Sequence, residues 1–522
     1  MRAGHVLSGL AAALCIIAPL VALALMQSAG GSAEVAPPWF ALTDPVLRRL
    51  LAASTAQAAI AGAIAGVCGL GLGVALATVR SSWGRAGAVL HMLPLCLPPY
   101  LLALGLVHGL ARGGPVDRYL GSSLRVVVDG VLHGPGGFMM IQVLALTPLV
   151  TLLVLAAVRG MDPAPVEAGA LSRGPSVALV RIVARHSLPA AAAGATLVFL
   201  LTLGEVAVPM LLGVQTYAGT VFARLADLSF LPGEALSRSL PMVLVALAGT
   251  ATLLRLDRGG AVLPSARAGH GPAPELLGSG AIRVTALVTA GLIGAAPLVG
   301  LAWMAASGSD PLSALGPALE SVGRTLVYMA GATVPLVALG LLGGHAWARD
   351  PAKQTFSAGA ALLGLTLPGV VLGIGLIALW NRPSTSWIYG GSAVVVLGLM
   401  GRYLYLAQRA FKVAFNAVPA AEEEAALVAR KGVPARWLRV TAPPVRRATL
   451  AVGAAVALLI LRDLDTILTV YPPGGATLAV RILTLEANAP PAQTATLALL
   501  QIGLSALLGL AFLAAITRRR TA

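Results

Sequence analysis

The chain has 522 residues, 57% hydrophobic and only 11% charged, with a mean hydropathy of +0.87; that is too little charge to cover a soluble protein of this length, so lipid must solvate much of it. The formal charge of +16 does not describe a nucleic-acid platform, because the basic residues sit in short Arg-rich runs between apolar stretches without interleaved aromatics. Cys15, Cys68 and Cys96 lie in apolar runs with no CxxC or Cys/His spacing, so neither a disulfide nor a zinc site is expected.

A bilayer crossing takes about 20 mostly apolar residues. Twelve windows qualify, near 6–26, 50–78, 86–109, 136–158, 192–213, 236–255, 283–305, 324–347, 356–380, 389–410, 448–470 and 495–516. The first competes with a signal-peptide reading, since Met1–His5 resembles an n-region and Gln27–Ala33 is rich in small residues. Its apolar stretch exceeds a usual h-region, which favours a retained anchor. Alternate connections carry the basic residues: Arg80 and Arg85; Arg159, Arg173, Arg181 and Arg185; Arg255, Arg258, Arg267 and Arg283; Arg349 and Lys353; the 430–447 loop; and Arg518–Arg520. The other set is diluted by acids such as Glu34, Asp117, Asp227 and Glu320. The positive-inside rule then makes the basic set cytoplasmic and places both termini inside. Arg48–Arg49 is the exception, expected to start an interfacial helix leading into the second span.

Landmarks of the first half return in the second, in the same order. Leu97-Pro98 with Gly105-Leu106 recurs as Leu367-Pro368 with Gly375-Leu376, at 368 − 98 = 270. Gly174 recurs as Gly432, at 432 − 174 = 258, and Thr220-Val221 with Arg224 as Thr477-Leu478 with Arg481, at 477 − 220 = 257. The shorter offset follows from an external loop near 111–134 that is longer than its counterpart near 381–388. The expected architecture is all-α transmembrane: twelve spans as two six-helix repeats, parallel because six is even. The repeats occupy 1–255 and 283–522, joined by a polar, Gly/Pro-rich cytoplasmic linker at 256–282.

Two large basic loops, 159–190 and 411–447, fall between the fourth and fifth span of each half. The first runs Pro165-Val166-Glu167-Ala168-Gly169-Ala170-Leu171-Ser172-Arg173-Gly174-Pro175 and the second Ala421-Glu422-Glu423-Glu424-Ala425-Ala426-Leu427, reaching Gly432-Val433-Pro434. Each is an acidic/alanine helix former, a glycine suited to an αL turn, a basic amphipathic stretch, and proline before the next span. Ordinary positive-inside loops need only Lys and Arg, and would not repeat the acids and the glycine.

These loops resemble the EAA motifs of binding-protein-dependent ABC importer permeases, one unit per half over essentially the whole chain. The resemblance implies the type I permease fold and a coupling helix seated on a cytoplasmic ATPase subunit at each loop. It carries over to Glu167, Ala168, Gly174 and Pro175 in the first loop and to Glu424, Ala425, Ala426 and Gly432 in the second. The first motif departs in having Gly169 where a second alanine is usual. The glycine-to-proline distances also differ, 189 − 174 = 15 against 443 − 432 = 11. No G-x-x-x-x-G-K-[ST] loop is present and the lysines are Lys353, Lys412 and Lys431 alone, so the chain is not expected to hydrolyse ATP. The resemblance implies two copies of an ABC ATPase that bind ATP and Mg2+, no cofactor on this chain, and a periplasmic solute-binding protein at the outer loops near 111–134 and 214–235. The location it implies is the bacterial inner membrane.

Charges inside spans are costly and mark candidates. Glu205 falls in the fifth window and Arg462, Asp463 and Asp465 in the eleventh, with 463 − 205 = 258. Two readings fit: residues lining or gating a translocation path, or ion pairs (Arg462–Asp463 or Arg462–Asp465) neutralised inside the bundle with Glu205 hydrogen-bonded to a neighbour. Arg402 is expected to snorkel or pair near a helix end. The stretches Leu461–Thr466 and Tyr471–Leu478, with Gly204-Glu205, Pro209 and Leu211-Leu212-Gly213, resemble fused permeases of the ferric-iron branch. Related branches for thiamine, polyamines, sulfate or phosphonates share much of this pattern. No intramembrane His, Cys or Tyr cluster marks an iron site, and neither His108 nor His186 is expected to be a ligand. The rival from another class is an ion-coupled secondary transporter with six-plus-six symmetry; a membrane-embedded biosynthetic enzyme is disfavoured by the lack of a convergent catalytic set.

Overall fold

The computed structural model describes residues 2–29, 39–77, 91–110, 114–119, 122–225, 232–257, 280–308, 312–429 and 432–517, and among them all regular structure is helical. Most of the expected linker, and with it Arg258 and Arg267, lies outside the described residues, as do Arg80, Arg85, Glu34, Asp227 and Arg518–Arg520.

Among the described residues eight helices are long and apolar enough to cross a membrane: Ala3–Leu25, Pro45–Ala77, Pro135–Arg159, Val180–Leu203, Ser237–Asp257, Leu315–Arg349, Trp437–Leu461 and Pro491–Ala515. Two bent pairs raise the count to ten if each is one span: Thr355–Thr366 with Gly369–Trp380, at 110°, and Pro383–Tyr389 with Ser392–Asn416, at 72°. The chain is thus a multi-pass helical membrane protein. The window near 86–109 is represented by the helix Pro99–Leu110, residues 78–90 lying outside the described set. The window near 283–305 falls in the helix Gly280–Ser307.

Local chemistry sets several boundaries. The helix Pro45–Ala77 begins where the Asp44 carboxylate accepts the N–H groups of Val46 and Leu47, at 2.9 and 2.8 Å, with proline in the first turn; both features favour a helix start. Arg48 and Arg49 therefore lie in the first turns of one continuous helix, not in a separate interfacial one.

The windows 192–213 and 448–470 are also corrected. Neither is an unbroken helix: Arg185–Leu203 stops and a short helix Ala207–Leu212 follows, while Ala442–Leu461 stops before Asp465–Val470. The bounds match at one offset, 461 − 203 = 258 and 470 − 212 = 258. Elsewhere the helix ends Leu110 and Trp380 differ by 380 − 110 = 270, and Arg159 and Asn416 by 416 − 159 = 257.

One landmark moves. The Tyr217 N–H donates to Ser54 Oγ and the Leu478 N–H to Thr325 Oγ1, both at 2.9 Å. Thr216 Oγ1 accepts from Gly219 N–H just as Thr477 Oγ1 accepts from Val480 N–H. By this hydrogen-bond pattern the counterpart of Thr477 is Thr216, at 477 − 216 = 261, where residue identity picks Thr220; the connection before Thr477 is three residues longer (261 − 258 = 3).

The halves are interleaved. The N-terminal helical stretch packs on Leu315–Arg349, Thr355–Thr366 and Gly369–Trp380, while Gly280–Ser307 packs on Pro99–Leu110. Polar ties cross between them inside the bundle, including Tyr100 to Gln501 at 2.7 Å, Thr250 with Thr366 at 2.7 Å, and Arg409 with Asp257 at 2.7 Å.

Candidate functional site

The two helix breaks explain where the intramembrane acids can live. An interior helical residue finds no free backbone donor, whereas the first turn after a break offers several. Glu205 Oε1 accepts the Val208 N–H at 3.3 Å and Asp463 Oδ1 accepts the Thr466 N–H at 3.0 Å. Each acid thus caps the short helix that follows, from matching positions, by the same i to i+3 bond.

Beyond that shared bond the breaks diverge. Asp463 is almost fully buried and is held on every side: Arg402 Nε at 3.1 Å, Tyr403 OH at 2.8 Å and Thr466 Oγ1 at 3.2 Å. Glu205 has no ion pair among the described residues and lies beside the fully buried Gln142 of the helix Pro135–Arg159. Asp465 reaches across to the other break, where its Oδ1 accepts the Val206 N–H at 3.4 Å. Arg462 donates to the Leu95 carbonyl oxygen, next to the interruption at Leu97-Pro98.

The ion pairs expected for Arg462 are not the ones formed. Asp463 pairs with Arg402, and Arg402 stands in the interior of Ser392–Asn416, not near its end. Burying a charge without a partner is prohibitive, so a mid-helix arginine needs a carboxylate from a facing element. The approach depends on small residues. A Cβ at Gly369 would lie 2.7 Å from Arg402 Nη1 and 2.8 Å from Thr466 N, and one at Gly204 would lie 3.0 Å from Pro368 Cα. Four interruptions, near 97–98, 204–206, 367–368 and 462–464, therefore meet through Arg462–Leu95, Asp465–Val206 and Gly204–Pro368. Arg402 stands out in the sequence as a charge inside an apolar window, but its partner Asp463 does not, and neither Tyr403 nor Gln142 carries a sequence signal. His108 faces Glu486 at 3.6 Å. Among the described residues no group of three or more His, Cys, Asp or Glu is arranged to hold a metal ion.

The loops 159–190 and 411–447 form the second region. In the first, the helix Ala164–Arg173 starts with its Ala164 N–H on Asp162 Oδ1 at 3.1 Å, and buries Val166 and Ala170. Glu167 and Ala168 are exposed and Leu171 is 90% exposed. A Cβ at Gly169 would lie 2.5 Å from Ile182 Cδ1, so the departure from alanine makes room for the following helix. Gly174 ends the helix at φ 86°, ψ 157°. That is not the αL geometry expected of it but an extended left-handed one, essentially reserved for glycine. Pro175 opens the next helix, Pro175–Ala178.

In the second loop the helix Ala420–Val428 buries Ala426 and exposes Glu424 and Ala425, with Val428 84% exposed. Gly432 is exposed and precedes the helix Val433–Arg436, residues 430 and 431 lying outside the described set. The side chain engaging the membrane body is Glu423. Its Oε2 meets His345 Nε2 at 2.9 Å and its Oε1 meets Arg349 Nη2 at 2.9 Å. Burial would raise its pKa, but the hydrogen bonds from Arg349 and His345 outweigh that and hold the carboxyl below its ordinary value.

These features define a multi-pass helical membrane protein with charged groups gathered at interrupted helices and two short helices displayed in the loops 159–190 and 411–447. The chain is similar to two curated proteins in part of its length. One is named a ferric transport system permease protein, FbpB 1, of Haemophilus influenzae: 24% identical over 173 residues, 33% of this chain and 27% of that protein. The other is the ferric transport system permease protein FbpB of Actinobacillus pleuropneumoniae: 28% identical over 146 residues, 27% of this chain and 21% of that protein. The matches thus span about a quarter of each relative's length. No family model matches the chain.

Proposed function

We propose that the chain is the permease subunit of an ATP-driven, binding-protein-dependent importer in the bacterial inner membrane, with ferric iron as the favoured cargo. In this reading it has twelve spans in two parallel six-helix repeats, both termini cytoplasmic, and works by alternating access. The observation that carries it is the pair of cytoplasmic loop helices, Ala164–Arg173 and Ala420–Val428, each exposing an apolar side chain (Leu171, Val428) next to a motif of the same build. A single exposed apolar residue is ordinary; the support comes from its recurrence beside an acidic/alanine helix and a glycine in both loops. The similarity to permeases named for ferric transport and the matched helix bounds support the same reading.

Two copies of a cytoplasmic ATPase would dock at Glu167, Ala168, Gly174 and Pro175 and at Glu424, Ala425, Ala426 and Gly432. ATP and Mg2+ belong to those partners, and this chain contributes no catalytic residue. A periplasmic binding protein would deliver cargo to the outer loops. The converging breaks, with Glu205, Arg462, Asp463 and Asp465, are the proposed path and its gate. Thiamine, polyamine, sulfate or phosphonate importers of the same build are the alternatives for cargo.

The test is co-expression with candidate ABC ATPase and periplasmic binding-protein subunits from the same genome. Co-purification of the ATPase and ATP-dependent uptake of radioactive ferric iron into proteoliposomes are expected. One observation favours a second reading: three carboxylates but two guanidiniums meet at the breaks, as an ion-coupled transporter would require. Uptake driven by an ion gradient without ATP would establish that reading instead.

A further inference from the structure

The two loops differ in how they join the membrane body. Glu423 is gripped by two side chains from the last turns of the helix Leu315–Arg349. Arg349 also donates to the Phe415 carbonyl at 3.3 Å and the Val418 carbonyl at 3.1 Å. One guanidinium therefore binds the end of Ser392–Asn416, the connection after it, and the loop helix. The His345 ring is packed against Phe415 and Trp437, with centroids 5.0 and 5.3 Å away, and Trp437 begins the segment that leads into the next span. Glu423 thus sits where three elements meet.

Among the described residues the first loop has no such seat. Glu167 is exposed and makes no side-chain hydrogen bond or ion pair among the described residues. At the offset of 270 the position matching His345 is Ala75, which has no polar atom on its side chain. Its loop helix is held by the apolar contacts of Val166 and Ala170 and by Ile182 against Gly169. Charge-assisted bonds from two side chains of another helix fix the orientation of a loop helix as well as its position, which the non-directional apolar contacts of Val166 and Ala170 do not.

We propose that Glu423, seated on Arg349 and His345, is a positioning residue that anchors the second loop helix to the membrane body, so that this loop transmits the motion of its ATPase partner more directly than the first. The proposal deepens the permease reading and rests on it for the partner. Glu424, one residue on, points to solvent and is left free for the partner's surface; Glu423 is not.

Two arms test this. Hydrogen–deuterium exchange on the full chain in nanodiscs needs no partner. Amides of 420–428 should exchange more slowly than those of 164–173. Glu423→Gln should speed exchange at 420–428 about tenfold while Glu424→Gln leaves it unchanged. Equal protection of the two loops, or no response to Glu423→Gln, overturns the anchor. In the reconstituted complex, Glu423→Gln should keep the ATPase bound and hydrolysing while cargo moved per ATP falls about fivefold; Glu422→Gln, at an exposed acid of the same helix given no docking role, should leave that ratio unaltered. Loss of ATPase binding with Glu423→Gln would make Glu423 a contact residue and end the proposal. If the unaltered chain binds no ATPase, the permease reading fails, and the exchange arm still decides the anchor.

Discussion

The breaks at 204–206 and 462–464 share their geometry and differ in their chemistry. Both interrupt a span at the same spacing and both use an acid to cap the short helix beyond. Asp463 is locked by an arginine, a tyrosine and a threonine, while Glu205 has only a backbone N–H and a neighbouring amide side chain. The same backbone event can therefore serve two ends. A fully satisfied buried acid fixes the packing of helices, and a lightly held one is free to change partners as helices move. The comparison assigns stability to the second break and mobility to the first.

Substitution at the two acids tests that assignment with the largest effect. Asp463→Ala leaves Arg402 buried without its partner and should cost about 3–5 kcal/mol, read as a lowered thermal midpoint in detergent. Glu205→Ala removes one weakly held cap and should cost about 1 kcal/mol. Equal losses would erase the distinction. A step smaller, Gly369→Ala should cost about 1–3 kcal/mol through displacement of Arg402 and Thr466. Gly204→Ala, whose nearest neighbour is Pro368 at 3.0 Å, should cost less in the same assay.

The paired caps offer a control in which the halves should agree. Ser54→Ala and Thr325→Val each strip the acceptor from a buried N–H, of Tyr217 and Leu478 respectively, and each should cost about 1–3 kcal/mol. A large disparity would mean that Thr216 and Thr477 are not equivalent positions.

The smallest effect is the pH response of the second loop. Glu423 has a folded pKa below its unfolded value, so its contribution is fully present above the unfolded value and is lost as pH falls through the lowered one. Exchange protection of 420–428 should therefore hold steady from neutrality down to about pH 4.3, the ordinary glutamate value, and decline only below it. Glu423→Gln should flatten that decline.

Much of this molecule is legible in the sequence because the bilayer imposes length and apolarity on each crossing. The helices Pro45–Ala77, Pro135–Arg159 and Pro491–Ala515 fall where hydropathy puts them. The breaks do not, since a window of about 20 residues averages over three polar ones. Arg402 was visible as an anomaly, but its partner lies 61 residues on in sequence (463 − 402 = 61) and only packing selects Asp463 over Asp465. The run Glu422-Glu423-Glu424 hides which acid turns inward, because helical phase within so short a segment is set by the helix start. Thr220 was matched to Thr477 on residue identity, whereas the cap that defines the position belongs to Thr216.

The most direct measurement is cross-linking from the two loop helices to a co-expressed ABC ATPase subunit from the same genome. The chain would carry Leu171→Cys or Val428→Cys in a background lacking Cys15, Cys68 and Cys96. Both exposed positions should form cross-links to the ATPase in inner-membrane vesicles, and the double change Gly174→Asp with Gly432→Asp should abolish them along with uptake. No cross-link from either position, or uptake and ATPase association that survive both glycine substitutions, would contradict the account.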